Sequence, residues 1–284
     1  MSDERLLLSE KYKAFLRCDA PVEFLEGTTA AGKTTVGLFK FMLKVAESPK
    51  KLHILAADDT GAAEKNIIQK DLGILDDFGV LVEYKGNGSG EYKMPHILFH
   101  TSGGDKIIFV VGYGNKRKWK DALGGQYGCL YIDEINTADI EFVRESAMRS
   151  DYLMATLNPD DPNLDVYKEY INCSRPLPEW EDETPQEIRD ELKEEPKPGW
   201  VHWFFSFAHN LGLPKEKLER IIQNTPPGTK IWKNKIKGLR GKATGLIFPN
   251  FDRAKHVVTV AWVKQQVKAG KIQFKKFTVG LDTS

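Results

Sequence analysis

Short apolar runs alternate with longer amphipathic ones along most of this chain. The runs Val22-Glu-Phe-Leu-Glu26, Lys51-Leu-His-Ile-Leu-Ala-Ala57 and Gly128-Cys-Leu-Tyr-Ile132 are too short for helices and read as buried strands, as do residues 152–157 and 201–207. Between them, residues 35–45, 61–72, 138–149 and 163–172 carry helical spacing. Residues 80–113 alternate β-branched and aromatic positions, broken by Gly86-Asn-Gly-Ser-Gly90 and Ser102-Gly-Gly-Asp105, which predicts hairpin excursions on a sheet. This order of elements predicts an α/β fold with a mainly parallel central sheet flanked by helices. Residues 176–200, rich in proline and acid, read as an exposed connection holding a short helix. One strand, two helices and a loop-rich tail follow. They are too small for a second core, which predicts a small lid subdomain.

The junction after the first strand carries the chemistry. Gly27-Thr-Thr-Ala-Ala-Gly32-Lys33-Thr34 fits GxxxxGK[ST], with a strand before it and a helix after it. Such a P-loop wraps backbone N–H groups around phosphate oxygens and aims a helix N-terminus at them. Gly27, Thr28, Thr29, Ala30, Ala31, Gly32, Lys33, Thr34 and Thr35 are therefore the expected nucleotide-binding residues. Lys33 would reach the β- and γ-phosphates, and the Thr34 hydroxyl would ligate Mg²⁺. A second apolar run ends in Asp133-Glu134. At the carboxyl end of a parallel strand these acids would face the same crevice. Asp133 would hold Mg²⁺, and Glu134 would take a proton from the attacking water. The pattern implies an enzyme that hydrolyses ATP.

Composition changes this picture little, but charge placement does. The 284 residues suffice for one large or two modest domains, and no apolar run has the length of a membrane span. Three scattered cysteines read as reduced thiols, and none of the six histidines has a metal-site companion at useful spacing. The net charge of +1 conceals a segregation: residues 211–276 hold 16 Lys/Arg against 3 Asp/Glu. Within that stretch Lys230, Lys233, Lys237 and Arg240 recur at helical spacing, the expected stripe for tracking DNA phosphates, with a solvated helix face as the plain alternative.

Several further segments, in order, resemble the large terminase subunit of tailed phages. Lys11-Tyr-Lys-Ala-Phe-Leu16 is similar to the family's segment ahead of the P-loop, and Ala155-Thr-Leu-Asn158-Pro159 to its coupling motif. Phe205-Ser-Phe-Ala-His-Asn210 with Leu213-Pro-Lys-Glu-Lys-Leu218 resembles the stretch that opens its lid. Gly238-Leu-Arg-Gly241 and Gly245-Leu-Ile-Phe-Pro-Asn-Phe251 resemble the join to a second domain, and Phe277-Thr-Val-Gly-Leu-Asp282 the first strand of an RNase H-like nuclease. The resemblance implies a P-loop NTPase of the ASCE type, with a core over residues 1–198, a lid and linker over 199–255, a hinge over 256–276 and the start of a nuclease over 277–284. It implies an ATP- and Mg²⁺-dependent motor that packages double-stranded DNA, in the cytoplasm of an infected bacterial host. Portal protein and small terminase subunit would be its partners, and it would self-associate into a ring, without a membrane.

Asn158 would then orient the attacking water or sense the γ-phosphate. Family P-loops often carry an internal arginine, which is missing between Gly27 and Gly32. An arginine from elsewhere must meet the transition-state charge. Arg117, in Lys116-Arg-Lys-Trp-Lys120, is the candidate, with Arg144 and Arg149 behind it. Asp282 matches the first nuclease carboxylate alone, so no DNA cleavage is expected of this sequence. Two other readings stay open: a helicase-like remodeller of nucleic acid, and a non-catalytic switch that binds ATP to control a partner. No ordered helicase motif set follows Asp133-Glu134, and an intact Glu134 weighs against a mere switch.

Overall fold

Eight strands form one mixed sheet in the computed structural model, which describes residues 7–114, 119–120, 122–241 and 257–273. They are β1 (Val22–Gly27), β2 (Leu52–Ala57), β3 (Val82–Lys85), β4 (His96–Thr101), β5 (Gly104–Gly112), β6 (Tyr127–Ile132), β7 (Ser150–Leu157) and β8 (Trp200–Phe205), in the order β3-β4-β5-β2-β6-β7-β1-β8. All pairings from β5 to β8 are parallel, and only β3–β4 and β4–β5 are antiparallel.

The central strands are buried on both faces because their consecutive residues feed opposite layers. Leu25, Leu55, Tyr131 and Met154 join one apolar layer with Phe41, Met42 and Val45 of helix α2 (Lys33–Glu47). Their neighbours Phe24, Ile54, Leu130 and Leu153 join the other, against Phe142 and Val143 of the helix Ile140–Met148. Helix α1 (Glu10–Arg17), started by a Ser9 cap, adds Tyr12 and Phe15 to the first layer.

Residues 80–113 form the expected hairpins, β3–β4 and β4–β5, the second closed by a two-residue turn between Thr101 and Gly104; β5 also pairs parallel with β2 and is buried without interruption over 106–112. Three sequence expectations are corrected. The single helix expected over 61–72 is a turn, Thr60–Ala63, that widens into a π-turn over Glu64–Ile68 and stops before Leu72, whose backbone is left-handed. The connection over 176–200 is not wholly exposed, since Ile188 and Leu192 bury against Phe204. Finally, β8 does not open a lid. It lies in the main sheet beside β1, because its side chains Trp203 and Phe205 complete the layer over α1 and its Val201–Phe205 run is buried throughout.

The chain divides into two units, Met1–Lys242 and Ala243–Ser284. In the second, residues 257–273 contain one helix, Val260–Lys268, whose Trp262 N–H donates to the Thr259 side chain at 3.1 Å. The segments Lys116-Arg117-Lys118, Gly245–Phe251 and Phe277–Asp282 lie outside the described residues. Among those described, no helix is long and apolar enough to cross a membrane.

Candidate nucleotide site

Because β7 sits between β1 and β6, three loops converge at one end of the sheet: the P-loop after β1, the acid pair after β6 and Asn158 after β7. The P-loop can turn there only with glycine at its first position. Gly27 has φ +149°, and an added Cβ would stand 1.7 Å from the Phe205 carbonyl oxygen of β8. Gly32, at φ +91°, then directs the chain into α2.

Four neighbours hold the loop. The Tyr12 hydroxyl donates to Ala31 O at 2.8 Å, and Asn210 Nδ2 donates to Ala30 O at 2.7 Å. Thr28 N–H donates to Phe205 O at 3.0 Å, and Thr29 N–H to Lys235 O at 2.9 Å. The segments read as preceding the P-loop and opening a lid therefore both brace the loop, Tyr12 also stacking on Phe205 at 4.1 Å between ring centroids.

Lys33 is buried, and its ammonium donates to Gly27 O at 3.2 Å, Thr28 O at 2.6 Å and Asn158 Oδ1 at 3.2 Å. Burial pushes its pKa down to about 8; Asp133, Glu26 and Glu134 oppose that fall, and Lys235 adds to it. Asn158 passes the chain on, Nδ2 donating to Glu134 Oε1 at 3.4 Å. Lys33, Asn158 and Glu134, far apart in sequence, are thus contiguous. Glu134 sits at φ +51°, a left-handed conformation that a non-glycine residue adopts at a cost of about 1–3 kcal/mol. Tyr113 fixes it from below, its hydroxyl donating to Asp133 O at 3.0 Å and lying 3.4 Å from Glu134 O.

Thr34 Oγ1 donates to Asp133 Oδ1 at 3.3 Å. A hydroxyl and a carboxylate side by side beneath the P-loop are hard oxygen donors of the kind Mg²⁺ takes, so the residues fit that ion. Thr156, which sequence reasoning did not single out, donates to the same Asp133 oxygen at 2.6 Å and is 3.4 Å from Glu134 N–H. Thr156→Val keeps the shape and removes this hydroxyl. A hydrogen bond to a charged group contributes about 1.5–3 kcal/mol, so the Mg²⁺ concentration for half-maximal nucleotide binding should rise roughly tenfold or more. A Mg²⁺ titration of nucleotide fluorescence checks it, and an unchanged midpoint would remove Thr156 from the site.

A cleft of about 340 Å³ runs from the P-loop past Lys70 and Glu134 to Asn210, Leu213 and Lys217. Lys70 was likewise not foreseen: no local pattern marks it, yet its ammonium reaches Thr35 Oγ1 at 3.4 Å, and burial lowers its pKa against the pull of Asp133. A neighbouring cavity of about 260 Å³ lies between Glu134, Asn158, Asn234 and Lys235.

The basic stripe is not what its spacing predicted. Arg240 is 3% exposed and beneath the P-loop strand, donating to Glu26 Oε1 at 2.8 Å and Oε2 at 2.7 Å, and to Asn172 Oδ1 at 2.7 Å. Lys230 pairs with Asp160. Only Lys233 and Lys237 remain exposed. Of the alternative arginines, Arg144 grips Glu169 with two nitrogens and Arg149 pairs with Glu145 at 2.9 Å.

A glycine-turned P-loop, a buried lysine, and a hydroxyl–carboxylate pair at the end of a mainly parallel sheet define the P-loop NTPase fold. No protein-family model and no curated protein matches the sequence. Solved structures do. The large terminase of a thermophilic bacteriophage superposes with a TM-score of 0.66 at 21% identity, over 89% of this chain and 58% of that one. The complex of the same terminase with ATP-γ-S gives 0.59 at 19% identity, over 89% and 57%. The large terminase ATPase domain of Thermus phage P74-26 gives 0.57 at 11% identity, over 82% of this chain and 94% of the domain. The fold of this chain is that of a phage large terminase ATPase domain, and the chain spans 58% of the length of the thermophilic phage protein.

Proposed function

We propose that this chain is the ATP-hydrolysing motor of a phage-type large terminase, moving double-stranded DNA into a procapsid. The observation that carries the reading is the unbroken path from Lys33 through Asn158 to Glu134, set beside the Thr34–Asp133 pair. Lys33 and the P-loop amides hold the phosphates, and Thr34 and Asp133 hold Mg²⁺, which neutralises phosphate charge when bound. Asn158 orients the water between the γ-phosphate and Glu134, and Glu134 accepts its proton. The complexes of the thermophilic phage terminase with ADP and ATP-γ-S support a nucleotide in a related cleft. Phosphate release from MgATP tests the reading, and a chain that binds nucleotide but never turns it over would overturn it.

As the motor of a terminase, the chain would meet portal protein and the small terminase subunit, and would assemble as a ring. Arg117 of one subunit is then the candidate to reach the γ-phosphate of the next. Duplex DNA would be gripped through phosphates, which carry no base information. With Arg240 buried and Lys230 paired, the exposed contacts narrow to Lys233 and Lys237. Reversing both charges should weaken duplex binding and flatten the log–log salt slope by roughly one unit per lost contact. An unchanged affinity and slope would leave these lysines as a solvated face.

A further inference from the structure

The P-loop residues 28–31 hold no charged side chain, so one cation, Lys33, serves the phosphates from within the loop. The structure brings up a second from far along the sequence. The helical segment around Trp232–Ile236 is fastened to both sides of the site. Its Lys235 carbonyl accepts from Thr29 N–H at 2.9 Å, Asn234 Nδ2 donates to Pro159 O, and Gly241 N–H donates to Asp160 O at 3.0 Å. This fastening places Lys235 in the lining of the 260 Å³ cavity, together with Glu134 and Asn158.

Two further observations mark that cavity as one built for polar contents. Asn234 is 5% exposed and its Oδ1 has no partner, and Asn136 Oδ1, also in the lining, is buried without one; both are acceptors, which call for an N–H or O–H from a water or an ammonium group in the cavity. Lys235 itself is exposed and makes no ion pair or hydrogen bond with its side chain among the described residues. Lys33 lines the P-loop cleft and Lys235 the neighbouring cavity, and Glu134 and Asn158 line both, so the two ammonium groups flank the place where a terminal phosphate would meet Glu134.

We propose that Lys235 is a phosphate ligand supplied in cis, contacting the terminal phosphoryl group of a bound nucleoside triphosphate on the side opposite Lys33. The proposal rests on the ATPase reading and deepens it. Lys235 adds a second positive charge to the one the P-loop supplies through Lys33, and its backbone bond to Thr29 makes its position depend on the loop it assists. A diphosphate would not extend to it. The side chain therefore distinguishes ATP from ADP.

The test uses the full chain with Lys235→Ala and Lys235→Arg, and Lys33→Ala as the control. Equilibrium affinities for Mg²⁺–ATP-γ-S and Mg²⁺–ADP are measured side by side, with phosphate release from ATP alongside. Lys235→Ala should weaken ATP-γ-S binding about tenfold while ADP binding stays within twofold. Its turnover should fall by about 10²-fold, as for removal of one preorganised charge-stabilising donor, and Lys235→Arg should restore most of both. If the two affinities fall together, or neither falls, Lys235 is no ligand of the terminal phosphate and the proposal is wrong. A Lys33→Ala chain that still binds ATP-γ-S at the parental affinity would overturn the ATPase reading instead.

Discussion

Glu134→Gln should bind ATP as the parent does and hydrolyse it about 10²–10⁴-fold more slowly, whereas Lys33→Ala should fail to bind it. The two substitutions separate because the two side chains act at different moments. On the proposed reading, Lys33 meets phosphate charge in the ground state, from a buried position in which its ammonium now donates to backbone oxygens. Glu134 contributes only when water loses a proton. Glutamine keeps the length of the side chain and an oxygen that Asn158 Nδ2, 3.4 Å away, can still donate to, so the loop has no reason to rearrange. What disappears is the basicity. Nucleotide affinity by fluorescence titration and single-turnover phosphate release on the same preparations measure both arms. Parental hydrolysis by Glu134→Gln would take the general base elsewhere and sink the assignment.

Arg240→Ala should cost about 3–5 kcal/mol of folding stability, the range for breaking one side of a buried ion pair. Its guanidinium grips both oxygens of Glu26, and neither side chain is exposed. Burial alone would raise the Glu26 carboxyl; Arg240, with help from His202, instead brings it down to about 2. Because the folded value lies below the ordinary 4.5, this stabilisation is complete above pH 4.5 and lost as pH falls from there toward 2. Removing the arginine strands a carboxylate in the strand that carries the P-loop. Urea unfolding of Arg240→Ala, beside a double variant that also carries Glu26→Gln, measures this. The double variant should recover part of the loss, because the stranded charge is gone. If Arg240→Ala unfolds at the parental urea concentration while losing affinity for DNA, the side chain faces a phosphate backbone after all.

These two residues also mark how far the sequence could be read. The P-loop Gly27 to Thr34, the pair Asp133–Glu134 and Asn158 were legible as one candidate site because each segment lies at the end of its own strand, where local pattern marks the position. Arg240 was misread because helical spacing was carried from Lys230 through to it. The helix ends at Ile236, and Gly238 at φ +66° turns the chain inward, so a residue counted on an outer stripe arrives in the core. Thr156, Lys70 and Lys235 left no local signature. Their places depend on strand order and on a contact between residues about 200 positions apart, and periodicity within a window does not encode either. The same holds for β8, whose edge position beside β1 follows from packing over α1 and not from its own composition.

The left-handed backbone at Glu134 sets stability and catalysis against each other. At φ +51° glycine would be comfortable and glutamate is not, so the residue proposed as general base is one the fold alone would not have chosen. Drift toward greater stability at this position runs through glycine and would remove the proposed general base. A stabilised variant of this chain obtained by selecting only for heat resistance is therefore open to losing the proposed hydrolysis first, and a screen for robust versions has to score hydrolysis alongside melting.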